Sequence, residues 1–123
     1  DANTTANENV TINNTANHDV AQGDVQVTAL DLTGEEVISD FIPANNFTVD
    51  VDEGGSPPAE CSAATVMVNN SAEGVVGSQL VPGNRSAGFG NETVYVCLTL
   101  VPSGLSAQSY STLNGTSWTI GIV

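Results

Sequence analysis

Lysine is absent from the 123 residues, and Arg85 is the one basic side chain apart from His18. A surface without cations cannot neutralise phosphates, which excludes nucleic acid as a partner. An anionic bilayer repels a chain of formal net charge −13 for the same reason. Without lysine there is no Schiff base, no phosphate loop and no lysine–asparagine isopeptide crosslink. No apolar run approaches the ~20 residues that span a bilayer, so no membrane insertion is expected. Histidine occurs once and cysteine twice, at Cys61 and Cys97. That set is too small for a closed zinc shell or a blue-copper site, and neither a metal nor a cofactor is expected. His18 stands beside Asp19, but no Gly-X-Ser-X-Gly elbow accompanies it, and no pair of carboxyls is singled out by spacing. The sequence therefore names no catalytic residue, and the chain is read as a non-enzyme.

What the sequence does have is Asn-X-Ser/Thr. Eight such sequons begin at Asn3, Asn9, Asn13, Asn46, Asn69, Asn84, Asn91 and Asn114, none with proline in the middle. Random placement of the same residues gives roughly 2.5, so the excess points to a densely N-glycosylated, secreted surface. A composition rich in Asn, Thr and Ser that makes sequons by accident is the alternative. The chain starts at Asp1 with no basic or apolar leader, as a processed chain does. In an oxidising compartment the two cysteines are expected to form a disulfide, worth roughly 3–4 kcal/mol in the chain-entropy account, with two buried free thiols as the alternative. Together these features place the chain outside the cell, at the cell surface. The 14 acidic residues fit a soluble surface that resists association. Asp50, Asp52 and Glu53, followed by Gly54 and Gly55, form the densest acidic cluster. It reads as a solvated strand end, with calcium as the alternative. Phe89, between Gly88 and Gly90, reads as part of a hairpin connection, with a contact to a neighbour as the alternative role.

Helical periodicity is nearly absent; one short compatible stretch lies at 34–42. Turn residues instead separate short alternating runs, the pattern of an all-β sandwich. Val10 and Ile12 share one face of the first run, and Asn9 and Asn13 the other, as a glycosylated strand requires. Val25, Val27 and Ala29 align on the second, and Phe47, Val49 and Val51 on the third. Residues 63–69 read as a central run containing Val66 and Val68. In 92–101, Val94, Val96, Leu98 and Leu100 share one face with Cys97 on the other, so this strand is expected in the middle of a sheet. Trp118, Ile120 and Ile122 alternate in the last run, and a weaker one lies near 75–81. Seven or eight strands result, in an immunoglobulin-like or pilin-like β-sandwich. Residues 1–20 are set apart by their polarity, with 21–123 as the sandwich. The first segment reads either as a frayed tail or as an extended strand that completes another sheet.

The lysine-free β composition, the sequon-laden polar first strand, the cysteine pair and the apolar last strand together resemble the subunits of the glycosylated archaeal surface filaments called threads and bundling pili. Members of that group are similar in architecture to bacterial chaperone–usher pilins, and they join head to tail by donor-strand complementation. The resemblance implies a homopolymer serving adhesion or biofilm formation, with residues 1–20 as donor and with Val10 and Ile12 entering the neighbour's groove. The last strand, 117–123, is the competing donor. A monomeric secreted or cell-surface β-sandwich binding module, or a surface-layer or virion component, is the alternative function.

Overall fold

Alternating side chains need a sheet with one dry face, and the computed structural model, which describes residues 8–52, 58, 64–82, 90–112 and 116–123, supplies three sheets. The chain is all-β and sandwich-like, with no α-helix among the described residues. Its strands are β1 (Glu8–Asn13), β2 (Val25–Thr28), β3 (Leu32–Gly34), β4 (Phe41–Ile42), β5 (Phe47–Val51), β6 (Thr65–Val66), β7 (Ala72–Gly74), β8 (Asn91–Leu98), β9 (Tyr110–Ser111) and β10 (Thr119–Ile122). The first sheet has the order β1-β8-β5-β6, the second β10-β2-β7 and the third β4-β3-β9. All the strand pairs are antiparallel. The count among the described residues exceeds the seven or eight expected because several strands are only two or three residues long.

The core forms where the alternation placed it. Val25, Val27 and Ala29 are buried from the second sheet, and Phe47, Val49 and Val94 from the first. Met67, Val75 and Leu80, fully buried, fill the space between. Strand β8 is central, as expected from its two apolar faces: Val94 is buried on one face, and Tyr95 and Cys97 on the other. Leu100 does not continue that strand. It is exposed, because β8 ends at Leu98 and the Thr99 N–H and hydroxyl both turn onto the Asn46 carbonyl (2.8 and 2.9 Å).

Residues 65–69 depart from expectation. Strand β6 lies at the edge of its sheet, Val66 and Val68 are about half exposed, and Met67 is the buried residue. The run Thr65-Val66-Met67-Val68 is apolar in both parities, so alternation could not choose the inward face. The choice comes from pairing. Met67 N–H donates to the Phe47 carbonyl (3.0 Å), and the Thr65 hydroxyl accepts from Val76 N–H (2.9 Å) and donates to the Gly74 carbonyl (3.4 Å). Those last contacts join β6 to β7, so the two sheets meet along that side.

The stretch at 34–42 is a braced turn instead of a helix. Gln108 reaches into it and its Oε1 accepts from Glu36 N–H and Val37 N–H, both at 2.8 Å. Asp40 Oδ2 accepts from Ser106 N–H (2.8 Å) and Gln108 Nε2 (3.4 Å). The backbone hydrogen bond from Ser106 holds the Asp40 carboxyl below its ordinary pKa. Gly34 is the contact that lets Gln108 in. A Cβ there would stand 2.5 Å from Gln108 Nε2 and 2.6 Å from the Val37 carbonyl oxygen, which is backbone and cannot swing aside. Gly34→Ala is expected to destabilise the fold by about 1–3 kcal/mol, the usual cost of overpacking. Thermal denaturation of the two proteins measures it; equal midpoints would refute the bracing role.

Candidate assembly surface

The first and second sheets each keep one outer edge once β6 meets β7. They are β1 of the first sheet and β10 of the second, and both belong to the side opposite the β6–β7 contact. Among the described residues no strand pairs with the outer edge of either. Strand β1 lies antiparallel on β8 of its own chain, with Asn9 opposite Tyr95, Thr11 opposite Thr93 and Asn13 opposite Asn91. Opposed residues share a face, so Asn9, Thr11 and Asn13 lie with Asn91, Thr93 and Tyr95 on the face away from Val94; the three β1 residues are exposed there, and Tyr95 is buried. The Thr11 and Thr93 hydroxyls are 3.3 Å apart, and Asn91 Nδ2 donates to Asn13 Oδ1 at 2.9 Å. Val10 and Ile12 point inward, toward Val94 and Glu92. Ile12 is partly buried against the core, whereas Val10 remains 50% exposed.

Strand β10 shows the same incompleteness. Ile120 and Ile122 lie opposite Val27 and Val25, on the core side of the second sheet. Yet Ile120 is 38% and Ile122 53% exposed, because little lies over them. Trp118 anchors the start of this strand. Its Nε1–H donates to the Leu30 carbonyl (2.9 Å), and its ring meets Phe47 edge-on at 5.0 Å. Between the sheets, an open apolar groove of about 380 Å³ is lined by Leu32, Phe47, Val96, Thr112, Ser117 and Trp118.

The segment after β1 is held by one side chain. Asn14 is only 5% exposed. Its Nδ2 donates to the His18 carbonyl (2.8 Å) and the Leu80 carbonyl (3.2 Å), and its Oδ1 accepts from Ala16 N–H (3.0 Å). Beyond this turn, Val20 and Leu80 exchange both backbone hydrogen bonds at 2.9 and 3.0 Å. His18 itself is exposed and contributes its carbonyl to this turn.

Beneath the end of β1 sits Glu92, 8% exposed on the inner face of β8. Its Oε2 accepts from the Ser78 hydroxyl (3.0 Å) and Gln79 N–H (3.1 Å). Burial pushes its pKa above the ordinary glutamate value; the Asp52 charge adds to the rise, and the two hydrogen bonds oppose it.

The remaining sequence-predicted residues fall as follows. Asn46 is half-buried at the end of a single 3₁₀ turn, Asn69 is exposed in a β-bridge to Ala29 with its Oδ1 accepting from Asp31 N–H (3.1 Å), and Asn91 is half-buried at the start of β8. Cys97 is buried and disulfide-bonded. Asn3, Asn84, Asn114, Cys61, Glu53, Gly54, Gly55 and Phe89 lie outside the described residues. Of the acidic cluster, Asp50 Oδ1 accepts from Val51 N–H (2.8 Å) and Asp52 Oδ1 from Thr93 N–H (3.0 Å), so both oxygens serve the sheet. No helix among the described residues is long and apolar enough to cross a membrane. Asn14 and Glu92 are the residues that sequence reasoning missed. Each is the middle residue of a sequon, where the pattern accepts nearly any side chain. Comparison with protein-family models, with curated proteins and with solved structures finds no match.

Asn14→Ala removes three hydrogen bonds and leaves the Leu80 carbonyl without the Asn14 donor. The expected loss is about 1–3 kcal/mol, read as a lower urea midpoint with unchanged slope; an unchanged midpoint would refute it. Glu92 has the opposite effect at neutral pH. A raised folded-state pKa contributes stability in acid that is lost as pH rises through it. Glu92→Gln is therefore expected to melt about 3 °C higher than the parent at pH 7. That gain should vanish below the ordinary value of 4.5. Melting curves of both proteins across pH 3–8 check the sign; a gain independent of pH would refute the electrostatic account.

Proposed function

We propose that the chain is a structural subunit of an extracellular, N-glycosylated filament, with no catalytic role, and that it assembles head to tail by donating strand β1 to the next copy. The observation that carries this reading is the open side of the sandwich. On this side the outer edges of β1 and β10 pair with no strand among the described residues, and the inward-facing Val10, Ile120 and Ile122 are 50%, 38% and 53% exposed. An uncovered edge of this kind is a template for another strand. The pairing of β1 with its own β8 supplies the register that a donated strand takes, with Asn9 opposite Tyr95 and Asn13 opposite Asn91.

Strand β1 is favoured over β10 as donor because its side-chain hold is slight. One partly buried isoleucine anchors it, whereas β10 follows Trp118, which is fixed to Phe47 and Leu30. Exchange returns every β1–β8 contact in the neighbour, so the contact energies cancel. Residues 14–20 then act as the hinge, and opened fully they reach roughly 20 Å. A heterologous contact that does not close on itself propagates as a fibre. Adhesion or biofilm formation is the role such a fibre serves. The groove between Phe47 and Trp118 favours a second reading, a monomeric cell-surface module that takes an apolar ligand there.

Electron microscopy of the full chain and of a chain lacking residues 1–16 tests the proposal. Fibres from the first and monomers from the second are expected. Fibres from both would move the donor role to β10, and monomers from both would end the filament reading in favour of the binding module.

A further inference from the structure

Five of the eight sequons fall among the described residues, and their surroundings divide them. A transferase reads the Asn-X-Ser/Thr tripeptide as an extended peptide, so the tripeptide must leave the fold locally when the sugar is attached, at a cost that rises with the burial of its residues. At Asn9 the tripeptide is paired with β8 and the Thr11 hydroxyl meets that of Thr93 (3.3 Å), but Val10 is 50% exposed and Thr11 is exposed on an edge strand, so no buried side chain holds it. At Asn69 the side chain is exposed but its Oδ1 accepts from Asp31 N–H (3.1 Å), the following Asn70 is exposed at positive φ (56°) with its N–H on the Ala29 carbonyl (2.8 Å), and Ser71 is half-buried, so surface hydrogen bonds and no buried side chain hold this tripeptide. The other three are locked. Asn13 is followed by Asn14, 5% exposed and held by three hydrogen bonds. Asn46 is followed by Phe47 and Thr48, 8% and 5% exposed, inside β5. Asn91 is followed by Glu92, 8% exposed, in the central strand β8, where Thr93 N–H is bound to Asp52.

We propose that the fold imposes an order on glycosylation: Asn13, Asn46 and Asn91 accept glycan only before the chain folds, whereas Asn9 and Asn69 remain acceptors on the folded subunit. This deepens the glycoprotein part of the function proposed above and rests on it. The chemistry is the same at every site: the Asn Nδ2 attacks the anomeric carbon of an activated sugar donor, loses a proton, and releases the pyrophosphate carrier. What differs is access. Presenting a locked tripeptide requires local opening of β5 or β8, which are core strands, or release of the Asn14 turn. Such openings are rare at equilibrium compared with the fluctuations of an edge strand or a turn. The locked sites also bear on assembly. Asn13 and Asn91 stand directly opposite each other across the β1–β8 pair, so their glycans lie side by side over the strand that is exchanged. Glycan on these two asparagines must therefore be in place before β1 settles on any β8, its own or a neighbour's.

The test uses the full chain, disulfide-bonded and made without glycans. It is treated with a single-subunit oligosaccharyltransferase and a lipid-linked oligosaccharide, and occupancy is read site by site by peptide mass spectrometry. On the folded chain, initial rates at Asn9 and Asn69 should exceed those at Asn13, Asn46 and Asn91 by at least about tenfold. In the same buffer, a Val49→Asp variant shown by circular dichroism to be unfolded should be modified at all five. Should that variant fold, the reduced Cys97→Ser chain, checked in the same way, takes its place. Equal rates at Asn46 and Asn9 on the folded chain would overturn the proposal. Native material without glycan would overturn the glycoprotein reading instead, and the two failures are told apart by this assay.

Discussion

Burial of β8 on both faces is the constraint from which the rest of the architecture follows. Val94 on one side and Tyr95 and Cys97 on the other can be dry together only if the strand lies inside a sheet with cover above and below. That requirement gives β8 two neighbours, β5 and β1, and each takes its register from it. Strand β5 then presents Phe47 and Val49 to the core, and Phe47 in turn positions Trp118 and the start of β10. Glu92 belongs to the same strand. Its carboxylate ties the Ser78 hydroxyl and the Gln79 N–H beneath β1, so one central strand organises both the core and the segment under that edge.

The hold on β1 is of a different kind. Its backbone is paired along its length, but its inward side chains contribute one partly buried isoleucine and one half-exposed valine. Main-chain hydrogen bonds set register and are indifferent to which copy supplies the strand. In the proposed exchange, the balance between a closed monomer and an exchanged chain would therefore fall on residues 14–20. There, the buried Asn14 amide closes a tight turn by joining His18, Ala16 and Leu80. Opening this turn loses the contacts to His18 and Ala16, while the contact to Leu80 is remade in the next copy. In the proposed fibre, proximity of the next copy would offset that loss.

Much of this was legible in the residues. The inward face of β2, the alternation in β5 and the central place of β8 all follow from apolar residues two apart with a polar or contrasting opposite face. Where both parities were apolar, as in Thr65-Val66-Met67-Val68, the pattern was silent and pairing decided for Met67. Polar residues were less legible still. Gln108, Asn14 and Glu92 gain their roles from backbone groups that arrive from distant parts of the chain, and their own neighbours in sequence carry no sign of it. The open side was half visible. The sequence aligned Ile120 with Ile122, but how much cover lies over them depends on which strands the other sheet places opposite.

The edges themselves show how the chain manages association without lysine. Soluble β proteins guard their edges with inward charges, prolines or lysines, or by covering them. Here β6 is covered by β7, and β1 carries outward asparagines at Asn9 and Asn13 whose glycans would screen its face. Strand β10 has none of these devices: Thr119, Ile120, Gly121 and Ile122 include no charge and no proline, and all four are exposed. With −13 of net charge, copies repel at a distance, so contact through such an edge requires a partner already held in register. The proposed strand donation through β1 would provide that register, since it would bring two sandwiches together at a fixed offset before any face packs. Long-range repulsion and a local, unguarded edge are thus compatible: the first suppresses disordered aggregation, and the second is reached only along the geometry that the exchanged strand permits.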